Sequence, residues 1–236
     1  ASDVYKRQDV FGGMLMFDGD MSRGNIRQGE LDAYKAFDLL DGYYYAFKKY
    51  EKYKIAPFEP YCAKKFDAVF SGLPSAGRIE KSGRESVLSF LRGYDDRPFE
   101  FNSNVLYCAE TAADIFGIST REEYTVASLD KLINESATAL ITEEYGTKID
   151  ELSEKLDKGL SLDLLKMVAN NLDKKFLLAY TLKILLGDSI EYADKRRLWL
   201  VGDIMPQVFC AALYCCASIL NAKNNGKETQ NENSNS

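Results

Sequence analysis

Large apolar residues recur at spacings of three and four along most of the chain. Between residues 30 and 50, Leu31, Tyr34, Phe37, Leu40, Tyr44 and Phe47 keep that spacing with Lys and Asp between them, which predicts an amphipathic helix. Pro60 opens a second helix whose inward face is Cys62, Phe66, Val69 and Phe70, closed by Gly72. Ser82-x-x-Glu85 has the form of a capping box and predicts a helix through Val87, Leu88 and Leu91 to Gly93. Cys108, Ala112, Ile115 and Phe116 share a face that stops at Gly117, and Ser119-x-x-Glu122 is a second capping box. Further helices are predicted over 128–145, 147–158, 160–186, 190–201 and 206–222, punctuated by Gly146, Gly159 and Gly187. Strand-like stretches are confined to 13–17 and 104–107. The expected fold is all-α, an irregular multi-helix bundle of about eight or nine helices.

A single helical domain over 11–222 is expected, with a subdivision near 94–101, where Asp95, Asp96 and Pro98 interrupt the pattern. The tail over 223–236 is rich in Asn, Lys, Glu and Ser and is expected to be disordered. Residues 1–10 read as a non-native or disordered arm. Asp3-Val4-Tyr5-Lys6-Arg7-Gln8 resembles the translation of a transposon end ligated onto DNA fragments for sequencing. That resemblance implies a metagenomic sequence of bacterial or bacteriophage origin, with a natural start at Met14, Met16 or Met21 or further upstream.

Composition then removes whole classes of function. Thirty basic against thirty-six acidic side chains give a net charge of -6, which speaks against a general nucleic-acid or anionic-membrane binder. The chain has no histidine, so Ser-His-Asp and Cys-His nucleophile systems, His-containing zinc sites and His-ligated haem all fall away. No cofactor is implied. Cys62, Cys108, Cys210, Cys215 and Cys216 form no C-x-x-C pair and read as buried small hydrophobes in a reducing compartment. The longest apolar run, 208–220, falls short of the roughly twenty residues of a spanning helix, and a cytoplasmic location is expected.

Several local patterns carry candidate chemistry. Met14-Leu15-Met16-Phe17-Asp18-Gly19-Asp20 delivers two carboxylates one residue apart and resembles the first motif of haloacid-dehalogenase-like phosphatases, although Met21-Ser22 stands where Gly-Thr is expected. The resemblance implies a Mg²⁺-dependent phosphatase with Asp18 as nucleophile, Asp20 as general acid and Asp188, Asp194 or Asp203 in the later acidic motif. Lys174 or Lys175 would then bind phosphate, and Asp18, Asp20 and Asp188 would hold the metal. The run from Val105 to Ile133 resembles the second strand and following helices of PAS sensor domains, which implies a sensor module over 66–133. Ala112-Ala113 with Gly117-Ile118-Ser119 is also similar to a helix-turn-helix, but its recognition helix would begin Thr120-Arg121-Glu122-Glu123 and turn two glutamates to phosphate. Ser128-x-x-Lys131 has the spacing of a Ser/Lys acyl enzyme.

Tyr43-Tyr44-Tyr45, with Phe47, Tyr50 and Tyr53, puts rings on more than one side of the first predicted helix. Those rings pack beneath other helices or meet a partner, since Tyr is enriched in interfaces. The reading that joins these observations is a non-enzymatic helical protein acting through protein–protein contact, as adaptor, inhibitor or complex subunit, with Tyr43, Tyr44 and Tyr45 binding the partner.

Overall fold

The computed structural model describes residues 19–70, 78–92, 101–144 and 174–233. Within them the chain runs through α1 (Gly19–Ala36), β1 (Leu40–Asp41), β2 (Ala46–Lys48), a 3-10 segment (Glu51–Phe58), α2 (Glu59–Phe70) and α3 (Arg78–Arg92). It continues through α4 (Phe101–Phe116), β3 (Glu123–Tyr124), α5 (Val126–Ala139), a π turn (Leu140–Glu144), α6 (Lys174–Leu186), α7 (Tyr192–Ile204) and α8 (Pro206–Asn233). The fold is an all-α multi-helix assembly with one small sheet, in the order β1-β2-β3. β1 and β2 are antiparallel, with Asp41 opposite Phe47, and β2 and β3 are parallel, with Phe47 opposite Tyr124.

α8 is the axis of the packing. Every residue from Val208 through Ile219 is buried, so this stretch has no solvent face and behaves as a helix enclosed on all sides. It touches α2, α3, α4, α5, α6 and α7. Its small residues, Ala211, Ala212, Cys215, Cys216 and Ala217, bring neighbours close, while Phe209 meets Phe70 and Tyr214 meets Phe58, each pair 5.3 Å apart between ring centres. All five cysteines are buried and unbridged, as the apolar faces predicted.

α3 and α7 cross at a pair of glycines. A Cβ on Gly83 would come within 2.2 Å of the Trp199 carbonyl oxygen, and one on Gly202 within 3.3 Å of the Gly83 carbonyl oxygen. The crossing is fastened by Asp203, which accepts hydrogen bonds from the Ser82 and Ser86 hydroxyls at 2.6 and 3.1 Å. The Trp199 indole N–H donates to the Val69 carbonyl at 2.8 Å and ties α7 to α2.

Several boundaries differ from those the sequence predicts. The helix expected over 30–50 ends at Ala36. Asp38 takes a left-handed conformation, and the Asp38 and Leu39 amides donate back to the Lys35 and Tyr34 carbonyls, closing the helix in a Schellman-type turn. Ser82 and Glu85 lie inside α3, which begins at Arg78. Ser119 and Glu122 precede β3 rather than a helix, and the capping box belongs to Thr125 and Ser128 at the start of α5. Residues 104–107 are helical within α4, which removes the PAS-like second strand. The tail expected to be disordered continues α8 as far as Asn233. The strand expected over 13–17, the helices over 147–158 and 160–173, and the boundary segment 94–100 lie outside the described residues.

The crossing makes a paired expectation. Gly83→Ala must push α3 away from a backbone carbonyl and should cost about 1–3 kcal/mol. Gly29→Ala, in α1 with open space around the added methyl, should instead gain about 0.5–1 kcal/mol. Urea unfolding of the two variants beside the parent chain measures both.

Candidate interaction surface

The Tyr43–Tyr45 run is built around one buried acid. Asp41-Gly42 turns the chain between β1 and β2, and Gly42 has φ 103° with the Tyr45 carbonyl where a Cβ would sit. Glu110 of α4 is fully buried, and its two carboxylate oxygens accept the Tyr43 and Tyr44 amides at 2.7 and 2.8 Å. Two successive N–H groups converging on a carboxylate form an anion nest. The rings follow the backbone inward. Tyr43 and Tyr44 lie 5.9 and 6.1 Å from Tyr107, and Tyr45 is fully buried, donating its hydroxyl to the Ile118 carbonyl at 2.9 Å. Burial raises the Tyr45 phenol above the ordinary tyrosine value. Tyr43 and Tyr44 are half-buried against the core. Of the three, Tyr45 is thus core, not surface.

The exposed rings lie on either side of that run. Of the eight large hydrophobic residues exposed among the described residues, six are Ile26, Tyr34, Phe37, Leu39, Tyr50 and Tyr53. At 3.6 residues per turn, Ile26, Tyr34 and Phe37 fall within about 80° of one another around the α1 axis. Leu31 and Gly24, the buried residues of α1, are centred about 110° further round the axis. α1 is held to the body largely by polar contacts. The Arg121 guanidinium lies where a Gly24 side chain would be, Arg27 pairs with Glu123 at 3.1 Å, and the Lys35 ammonium donates to the Tyr43 carbonyl at 3.1 Å.

Tyr50 and Tyr53 stack at 6.5 Å with their planes 21° apart, and they are 69% and 65% exposed. Lys49 and Lys52 lie over the two rings at 5.9 and 5.5 Å, within cation–π range. Their ammonium groups also reach the buried Asp41 carboxylate at 3.8 and 3.5 Å, and Lys49 pairs with Asp38. Tyr50 itself has φ 67°, a left-handed conformation that costs a non-glycine residue about 1 kcal/mol or more. The two lysines, tied to carboxylates, flank the exposed aromatic pair and hold it against that cost.

The 3-10 segment next to the pair is secured through Glu51, which is buried and accepts the Val126 amide at the start of α5 at 3.0 Å. Pairing with Lys54, followed by the Val126 hydrogen bond, holds the Glu51 carboxyl below the ordinary glutamate value against the opposing effect of burial.

No protein-family model, curated protein or solved structure matches the chain.

The other residues singled out from sequence are dispersed. Asp18 lies outside the described residues. Asp20 is exposed in the first turn of α1 and bonds Arg23, and Asp188 is exposed in the turn after α6. Among the described residues no group of three or more His, Cys, Asp or Glu side chains could hold a metal ion. Asp194 pairs with Arg197 at 2.8 Å, and Asp203 is taken up by Ser82 and Ser86. Ser128 is committed to the α5 capping box, and Lys131 reaches Glu135 at 3.9 Å. The segment from Thr120, where a helix-turn-helix would have its recognition helix, leads into β3.

Glu51→Gln should lower stability by about 1 kcal/mol at neutral pH through its weakened hydrogen bond to a helix-end amide. A depressed folded-state pKa contributes stability that is present above the ordinary glutamate range and lost as pH falls through the folded value. The difference between parent and variant should therefore close below about pH 4, as read by thermal unfolding across pH.

Proposed function

We propose that the protein is a non-enzymatic, cytoplasmic interaction protein that engages a partner protein through Ile26, Tyr34, Phe37, Leu39, Tyr50 and Tyr53. The clustering of six of the eight exposed large hydrophobics between Ile26 and Tyr53 carries this reading. Rigid aromatic side chains give large contact area for little entropy lost, and Tyr is among the residues that dominate binding energy. Tyr50 and Tyr53 are held before any partner arrives, which lowers the ordering cost of binding. Tyr43 and Tyr44 support the surface from behind through Tyr107 and Glu110.

A protein partner fits better than a nucleic acid. The chain is acidic overall, and the lysines beside the exposed rings are already paired with Asp38, Asp41 and Glu51, leaving little free positive charge for phosphates. The five unbridged, buried thiols suit a reducing compartment. No helix of the described residues is long and apolar enough to cross a membrane.

The test is retention of proteins from a bacterial lysate by the immobilised parent chain, a Tyr50→Ser/Tyr53→Ser double variant and a Leu132→Ser control. A band held by parent and control but lost by the double variant at unchanged melting temperature is the expected outcome. Identical retention by all three would remove the surface from consideration. Tyr45→Ala should instead cost about 3–5 kcal/mol of stability, as for a buried aromatic truncation, measured by the same melts.

A further inference from the structure

A second feature lies away from that surface, between α2, α3, α4 and α8. There the structure holds a cleft of about 420 Å³, inside the range of about 300–1,000 Å³ typical of small-molecule sites. Its buried lining is mostly apolar, formed by Leu88, Leu91, Val105 and Leu213 together with the thiols of Cys62 and Cys108, and it includes the buried Asn104, which is engaged in an interaction of its own. Those thiols add no charge: burial raises Cys62, and a hydrogen bond with Cys210 followed by burial raises Cys108, each well above the ordinary thiol value.

Charge is confined to the exposed rim. Arg84 and Arg92 of α3 line the cleft, and neither is in an ion pair among the described residues. Asp67 of α2 also lines it and is engaged in an interaction of its own. In a chain of net charge -6, two unpaired guanidiniums opening onto an apolar cleft are complementary to an anion with an apolar body. The two arginines are eight residues apart on one helix, about 12 Å along its axis. That is too far for one carboxylate to bridge, and Leu88 and Leu91 stand between them.

We propose that this cleft binds an amphipathic monocarboxylate, an alkyl or aryl chain ending in one carboxylate. Its body lies along Leu88 and Leu91, and its carboxylate takes a forked hydrogen bond from one of the two rim guanidiniums. The site shares no residue with the exposed surface between Ile26 and Tyr53, so either assignment can fail without the other.

Titration calorimetry of the full chain with dodecanoate, kept below its micelle concentration, tests the proposal. One saturable site of micromolar affinity is expected, weakened at least tenfold by Arg84→Gln/Arg92→Gln and unchanged by Arg196→Gln on exposed α7 surface. Ala63→Phe, which places a ring in the cleft, should abolish binding, and dodecanol should bind at least tenfold more weakly than dodecanoate. Circular dichroism of each variant confirms that it folds, and the rim arginines are exposed enough for the double variant to do so. Absence of saturable binding to the parent chain, full retention by the double arginine variant, or equal binding of dodecanol would each overturn the proposal.

Discussion

The enclosure of α8 is the constraint on which the other elements depend. A helix apolar on every side from Val208 to Ile219 must be covered from every side, and six other helices supply the cover. Burial of that much apolar surface sets where α2 to α7 can lie. Polar contacts then fix their register. Tyr214 donates to Asp130 at 3.0 Å, Asn134 donates to Ser218 at 2.9 Å, and Cys62 and Cys216 reach backbone carbonyls. Asp130 is raised above the ordinary aspartate value by its burial, against the hydrogen bonds it accepts from Ser218 and Tyr214, so this carboxylate is a register device that costs stability as pH rises through its shifted range.

The amino-terminal elements are attached on different terms. α1 buries only Gly24 and Leu31 and depends on Arg27, Lys35 and Arg121 for much of its hold. Between it and the core, Glu110 gathers the turn, and the turn positions the 3-10 segment that displays Tyr50 and Tyr53. The molecule divides into an apolar interior built around α8 and a surface layer where aromatic area, paired charge and backbone strain coincide.

The fold class was legible because the helices of the core follow the apolar period closely. Pro60, Gly117 and Gly187 punctuate the chain near where helices begin or stop, and α8 shows itself as an unbroken apolar run. The region from Leu40 to Tyr53 was not legible from period alone, since Leu40, Tyr44 and Phe47 satisfy helical spacing while forming a hairpin. The signal that decides it is Asp41-Gly42, a turn dipeptide between apolar runs, backed by aromatic residues that favour strands. Glu110 offered a fainter one, a lone acid inside the apolar run Cys108 to Ala113. The exposed surface could not be separated from the core on sequence grounds, because Tyr45 and Tyr53 are the same residue type within one tyrosine-rich stretch and differ only in what folds over them.

Amide hydrogen exchange of the native protein tests the division between interior and surface layer most directly. Amides of α8 from Val208 to Ile219 should exchange only through global unfolding, with the slowest rates in the chain. Those of α1 should exchange through local opening, orders of magnitude faster and accelerated by salt as its ion pairs are screened. Equal protection of α1 and α8, insensitive to salt, would contradict the account.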